Sequence, residues 1–166
     1  MFPITRIGPS RYSPTRSRIV IHDGVVTTVA TATAKSPSLY DQSRDALANI
    51  DRLLSEAGTD KSRVLMVTIY ITDIAGKAEF NRAWDEWVDR ANLPLRACVG
   101  AALEKDDLVE LIVTAAVDAG SGAIERLRPT PSAAIAVAGS RVSKFLRPSS
   151  GADHEIVITE FRHLPP

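Results

Sequence analysis

The segment that decides the fold of this 166-residue chain is PLRACVGAALEKDDLVELIVTAA, residues 94–116. It contains two apolar, strand-like runs on either side of a charged turn, a pattern that predicts a β-hairpin turning near Lys105. Each run nevertheless carries one charged side chain, Arg96 in the first and Glu110 in the second. A cation and an anion in the most strand-like part of a small protein need a physical explanation.

The register of this predicted hairpin determines where the two charges lie. Arg96 would lie opposite about Thr114, and Glu110 would lie opposite about Gly100. Because side chains alternate between the faces of a strand, Arg96, Cys98 and Glu110 are then expected to share one face. The two charged residues would be displaced by about four residues, roughly 13 Å of backbone, which leaves room for a small molecule between their long side chains.

Two interpretations of this Arg–Glu pair follow from the residues alone. In the first, the charges neutralise each other in the sheet or at a subunit contact, since buried charges are usually paired. In the second, the pair is a ligand site. The guanidinium of Arg96 matches a carboxylate, and the carboxylate of Glu110 could accept a proton from water and direct that water at an electrophilic carbon. The residue types do not decide between the two.

The rest of the N-terminal part alternates between strand and helix patterns. Two β-rich runs around Asp23-Gly24 predict a hairpin. Apolar residues at helical spacing then predict a helix that begins at Ser36 or Ser38 and ends at Gly58. The run RVLMVTIYITD, residues 63–73, is apolar along nearly its whole length and predicts a strand covered on both faces.

A second helix follows this strand and leads to the segment 94–116. Its apolar positions keep helical spacing: Phe80, Ala83, Trp84, Trp87 and Val88. The order strand, strand, helix, strand, helix, strand, strand predicts an α+β fold in which one sheet carries both helices on one face.

The composition limits the function classes and the organisation of the chain. A net charge of zero disfavours a basic surface for binding nucleic acid. No apolar run approaches the ~20 residues that a membrane-spanning helix needs. A single cysteine and the absence of a secretory pattern at the start favour a cytoplasmic protein. The composition changes after Ala119, so we expect a domain over residues 1–119 and a C-terminal extension over 120–166 with two additional strands.

Several segments, in the same order and at the same spacing, resemble the RidA/YjgF family of reactive-intermediate (enamine/imine) deaminases and are most similar to its YoaB-like branch. These segments are QSRDALANIDRLLSEAG (42–58), KSRVLMVTIYITD (61–73), EFNRAWDEWV (79–88), LPLRACV (93–99) and LVELIVTAAV (108–117). The resemblance covers about residues 4–117. It implies a chorismate-mutase-like α+β fold and a homotrimer whose sheets form a central barrel, with active sites at the subunit interfaces.

The resemblance also implies a reaction and residue roles. Members hydrolyse a 2-imino or 2-enamino acid to a 2-oxo acid and ammonia without a metal or cofactor. The arginine of the family that binds the substrate carboxylate falls on Arg96, and the glutamate that activates water falls on Glu110. The cysteine near the substrate falls on Cys98, and a helix asparagine, which we interpret as structural, falls on Asn81.

Three features depart from the family pattern. Val29-Ala30 stands where members carry a Ser-Gly or Thr-Gly pair beside the substrate. The turn between Arg96 and Glu110 is one residue shorter than usual, and the extension 120–166 is additional, whereas Tyr12 aligns loosely with an aromatic residue of the N-terminal loop and is a candidate substrate contact. These departures keep two alternatives open: a specialised enzyme, such as an aminomuconate-type deaminase or a tailoring enzyme, and a non-catalytic trimer that binds small carboxylates or a protein partner.

Overall fold

The structure, a computed structural model, describes residues 3–10 and 13–118 of the chain. These residues form six strands and two α-helices, with a short 3₁₀ helix before β4 and another before α2. The elements are β1 (Thr5–Ser10), β2 (Ser13–His22), β3 (Val25–Thr31), α1 (Leu39–Ala57), β4 (Val64–Ile71), α2 (Lys77–Trp87), β5 (Leu95–Gly100) and β6 (Val109–Ala116).

The strands form one mixed sheet in the order β1-β2-β3-β6-β4-β5. All neighbours are antiparallel except β4 and β5, which are parallel. Both helices pack on the same face of this sheet around a single apolar core. The predicted α+β class with two helices on one face is therefore confirmed.

The first hairpin joins β2 to β3 through the predicted turn. Asp23 and Gly24 both have positive φ angles, 49° and 72°, and His22 pairs with Val25. Positive φ at both central residues gives a turn whose twist matches that of the flanking strands, and Asp-Gly adopts it at low cost. Strand β1 was not predicted, and its run includes Gly8, one of the residues that weaken strand propensity.

Helix α1 begins and ends at the predicted signals. The Ser38 side chain accepts a hydrogen bond from the amide of Asp41 over 3.2 Å, which caps the first turn. Gly58 ends the helix in the left-handed conformation with φ of 81°, where a side chain would be strained. In α2, Phe80, Ala83 and Trp84 are buried, as their spacing predicts.

The second face of the sheet is open along β4. On β4, Val67, Ile69 and Ile71 are fully buried under the helices, whereas Leu65 and Met66 are 49% and 40% exposed. The prediction that this strand is covered on both faces therefore holds for one face only within the described residues. The exposed apolar side chains on the uncovered face of this strand form a patch of the kind that binds another chain.

The hairpin predicted between the last two strands is wrong. Strand β5 pairs with β4 in parallel, and β6 lies on the other side of β4, between β4 and β3. Residues 101–108, which join β5 to β6, therefore pass the end of β4 rather than making a tight turn. Lys105 does occupy a turn with φ of 50°.

The predicted extension 120–166 and its two additional strands lie outside the described residues. Among the residues that are described, no helix is long and apolar enough to cross a membrane.

Candidate functional site

Arg96 lies on β5, the edge strand, with its side chain on the face that carries the helices. Its partner on β4 is Val67, which is fully buried on that face. The Nη2 group donates a hydrogen bond to Oδ1 of Asn81 over 3.0 Å. The guanidinium carbon also lies 5.2 Å from the centroid of the Trp84 ring. One turn of α2 thus orients the guanidinium through two contacts.

The remaining N–H groups of Arg96 have no hydrogen-bond partner among the described residues. The side chain is exposed, so these groups can be reached by a ligand. A guanidinium that is held through one nitrogen keeps a second edge on which two parallel N–H groups can bind a carboxylate. The local geometry therefore suits an acidic small molecule.

Cys98 shares a face with Arg96, as predicted. It pairs with the buried Ile69 and packs, half-buried, against the apolar core. Among the described residues, no group of three or more His, Cys, Asp or Glu side chains is placed to hold a metal ion. The thiol is thus a small, partly covered wall residue two positions beyond Arg96.

Glu110 lies on the opposite, open face of the sheet. Its neighbours along β6, Val109 and Leu111, are fully buried under the helices, so the alternation of the strand turns Glu110 away from them. Across the sheet, Glu110 pairs with Thr31 of β3 and with Tyr70 of β4. Glu110 is half-buried as a residue, and its carboxylate has no hydrogen bond or ion pair with the described residues.

Val29 and Ala30 point to different faces. Val29 is 49% exposed on the open face, two residues before Thr31, and pairs with Ile112. Ala30 is 6% exposed and belongs to the core. Of this pair, only the side chain of Val29 shares a surface with Glu110. Tyr12, the other predicted substrate contact, lies outside the described residues.

The expected arrangement of Arg96 and Glu110 on one face is wrong. Through β4, Arg96 lies level with Val113 rather than with the predicted Thr114. A shift of one residue moves a side chain to the other face of a sheet. The two residues are two strand spacings apart laterally and about three residues apart along the strands, roughly 14 Å between Cα atoms.

Sequence reasoning missed a row of polar side chains on α1 that holds the loops at the end of the sheet beside Glu110. Gln42, Asp45 and Asn49 follow helical spacing and face the same way. Asp45 accepts hydrogen bonds from the amides of Thr33 and Ala34, and Asn49 donates to the carbonyl of Thr31. The spacing of these polar residues in an otherwise amphipathic helix was the available signal.

Two surface grooves on the described part of the chain contain neither Arg96 nor Glu110. One, of about 230 Å³, lies between α1 and α2 and is bordered by Trp87. The other, of about 320 Å³, lies at the start of β4 beside Leu93. Within the described residues, a single copy therefore presents Arg96 and Glu110 on separate surfaces.

Comparison with known proteins agrees with this fold. Residues 10–117 match the family model described as endoribonuclease L-PSP. A RutC family protein of Haemophilus ducreyi is 39% identical over 104 residues, which are 61% of this chain and 89% of that protein. The RutC family protein YoaB of Escherichia coli is 33% identical over 102 residues, 61% of this chain and 90% of that protein.

A solved structure and a functionally named relative add to these matches. The crystal structure of a YjgF-family protein from Neisseria meningitidis has a TM-score of 0.65 and 34% identity, and the match covers 70% of this chain and 96% of that one. An Escherichia coli protein provisionally named reactive intermediate deaminase TdcF is 32% identical over 76 residues, 44% of this chain and 59% of that protein.

Proposed function

The chain belongs to the RidA/YjgF family, whose model is described as endoribonuclease L-PSP, and from this premise we propose that it hydrolyses a carboxylate-bearing imine or enamine. The products are a 2-oxo acid and ammonia. The observation that carries the proposal is the orientation of Arg96 by Asn81 and Trp84, which leaves N–H groups that no described residue engages for a substrate carboxylate.

Arg96 positions the substrate and takes no part in bond making or proton transfer. Binding the carboxylate at a fixed guanidinium converts an encounter in solution into an attack on a held carbon. The carbon of a protonated imine is already electrophilic, so the reaction requires neither a metal nor a redox cofactor. An enamine enters the same reaction once its β-carbon is protonated.

Glu110 is the proposed general base. Its carboxylate accepts a proton from water as the water oxygen bonds to the imine carbon, and the C=N double bond becomes a C–N single bond. The same proton then passes to the nitrogen. As the C–N bond breaks, Glu110 takes the proton of the new hydroxyl group, the carbonyl forms, and the departing ammonia receives this proton and leaves as ammonium. General base catalysis of this kind contributes typically ~10²–10⁴-fold.

The two residues meet in this proposal at an interface between copies. The open face of the sheet supports it, because several large apolar side chains there are substantially exposed: Val25, Val29, Met66, Leu95 and Val99. We infer a homotrimer in which Arg96 and Cys98 of one copy face Glu110 and Val29 of the next. Cys98 forms part of the wall, and a cytoplasmic location agrees with its free thiol.

The test generates 2-iminopropionate or 2-iminobutyrate in situ with an amino-acid oxidase and follows the loss of the imine. Arg96→Ala and Glu110→Gln are each expected to abolish the catalysed rate. Arg90→Ala and Glu79→Gln make the same substitutions at exposed positions away from both surfaces and are expected to keep it.

A different result would identify another activity. Val29 places an exposed isopropyl group beside Glu110, which favours a specialised substrate over the smallest imino acids. Turnover restricted to larger imines would therefore support a specialised deaminase. Binding of small carboxylates that requires Arg96, without turnover of any imino acid, would identify a non-catalytic binding protein and overturn the proposed hydrolysis.

A further inference from the structure

Gln42 is a buried polar residue outside the proposed site that joins the two loops bordering Glu110. It lies in the first turn of α1 and is only 1% exposed. A fully buried amide must satisfy all of its hydrogen-bonding groups inside the protein. Where these hydrogen bonds go therefore shows what Gln42 holds in place.

Three hydrogen bonds connect the Gln42 amide to two separate loops. Nε2 donates to the carbonyl of Ser36 over 2.7 Å, in the loop between β3 and α1. The same nitrogen donates to the carbonyl of Asp106 over 2.8 Å, in the loop between β5 and β6. Oε1 accepts from the amide of Leu108 over 2.9 Å.

An ion pair joins the same two loops at a second point. Lys35 pairs with Asp107, and its Nζ also donates to the carbonyl of Ala32 over 2.6 Å. One loop follows β3, which ends at Thr31, and the other leads into β6 two residues before Glu110. Thr31 and Glu110 are partners across the sheet, so one loop held by Gln42 begins after Thr31 and the other ends two residues before Glu110.

We propose that Gln42 is a positioning residue for Glu110. Its amide sets the spacing of the two loops and thereby fixes the start of β6, from which the Glu110 carboxylate projects to the open face. The expected effect of Gln42 on catalysis rests on the proposed function. Its effect on the position of the start of β6 does not. Arg96, on β5 and against α2, receives no contact from Gln42.

The test compares Gln42→Leu with Thr59→Val. The Leu variant leaves two carbonyls and one amide without partners beside Glu110. Thr59 is likewise buried and donates to the carbonyl of Ala116 over 2.6 Å, at the other end of β6. Both variants lose buried hydrogen bonds, but only one loses them next to the proposed base.

Steady-state kinetics on the imine substrates should separate the two variants. In Gln42→Leu we expect kcat to fall at least tenfold with KM within about twofold of wild type, because carboxylate binding at Arg96 is preserved. Thr59→Val should lower the thermal midpoint without changing kcat or KM of the folded protein. Equal kinetic parameters for folded Gln42→Leu and wild type would overturn the proposal.

Hydrogen–deuterium exchange gives a second readout that needs no turnover. The amide of Leu108 and its neighbours up to Glu110 should exchange faster in Gln42→Leu and remain at wild-type rates in Thr59→Val. Unchanged exchange in this segment would overturn the role of Gln42 even if the wild type hydrolyses imines. If the wild type hydrolyses none, the proposed function fails, and the exchange data still decide whether Gln42 fixes the start of β6.

Discussion

Arg96 and Glu110 lie on opposite faces of the same sheet, on two strands that are separated by β4. Arg96 faces the helices at the sheet edge, whereas Glu110 faces the open side beside Thr31. A carboxylate substrate bound to Arg96 therefore cannot reach Glu110 of the same copy without passing through or around the sheet. This separation makes the contribution of a second copy the central issue for the mechanism.

Mixed oligomers test that contribution directly. Arg96→Ala and Glu110→Gln, each inactive alone, should regain activity when they are co-expressed with different tags and purified as mixed assemblies. In a trimer that contains both variants, one of the three interfaces combines an intact Arg96 with an intact Glu110, so about one third of the wild-type rate per site is expected. Assemblies that contain both variants and remain inactive would show that the two groups act within one copy or not at all.

Substitutions of Asn81 test how Arg96 is held. Asn81→Ala removes the acceptor for Nη2, and the loss of a hydrogen bond to a charged group, about 1.5 kcal/mol, should raise KM roughly tenfold. Asn81→Asp should raise KM further, since its carboxylate pairs with Arg96 and competes with the substrate. Both effects should be seen in KM rather than in the thermal midpoint. A lower KM in Asn81→Asp than in Asn81→Ala would contradict this role.

The sequence predicted the features of the fold that depend on local signals. Helix α1 begins after Ser38 and ends at Gly58, and Asp23-Gly24 forms the first turn, as predicted. Helix caps and left-handed backbone conformations are determined by a few neighbouring residues, so the sequence alone indicates them. The buried positions Phe80, Ala83 and Trp84 of α2 also followed from helical spacing, whereas Trp87 is only partly buried and Val88 lies beyond the end of the helix. In each case the residues that carry the signal lie within a few positions of the structure they determine.

The pairing of β5 could not be derived in the same way. Its apolar run fits a hairpin with β6 and a parallel pair with β4 equally well, because strand pairing is decided by contacts far apart in the sequence. In the structure the connection 101–108 has eight residues and is longer than the usual hairpin loops of two to five residues, but the ends of the two strands that set this length are known only from the structure. Arg96 and Cys98 were correctly placed together, and Glu110 was placed on the wrong face.

Asp60 gives a prediction for the pH dependence of stability. The Ser62 hydroxyl and amide both donate to its carboxylate, over 2.5 and 2.8 Å, and lower the pKa of Asp60 below its ordinary value. A carboxyl whose pKa is lower in the folded state stabilises the protein above the unfolded pKa. That stabilisation is lost as the pH falls through the folded pKa.

Asp60→Asn should therefore have a lower thermal midpoint than wild type at pH 7. The difference should shrink as the pH falls through and below ~3.9, the ordinary pKa of an aspartate. In a Ser62→Ala background the same substitution should give a smaller difference at pH 7, because the hydrogen bond from the hydroxyl is absent and only the one from the amide remains. A difference that stays constant from pH 7 to pH 3 would show that the charge of Asp60 does not contribute to stability.

Val29 is expected to set the preference for the substrate side chain. It lies on the open face two residues from Thr31, and together with its partner Ile112 it forms an apolar surface next to Glu110. Val29→Thr keeps the shape of the side chain but introduces a hydroxyl into this surface. Burying that hydroxyl under an apolar substrate chain without a partner costs about 1–2 kcal/mol.

The measurement is kcat/KM for imines generated from leucine and from alanine. Val29→Thr should lower the value for the leucine-derived imine about tenfold, as this cost implies, and leave the alanine-derived imine nearly unchanged. Val25→Thr makes the same change on the same strand and face, four residues from Val29, where Val25 is 39% exposed and pairs with Ala116. It should change neither value. Equal losses in the two variants would mean that the effect reflects the sheet surface in general, and Val29 would then have no part in substrate selection.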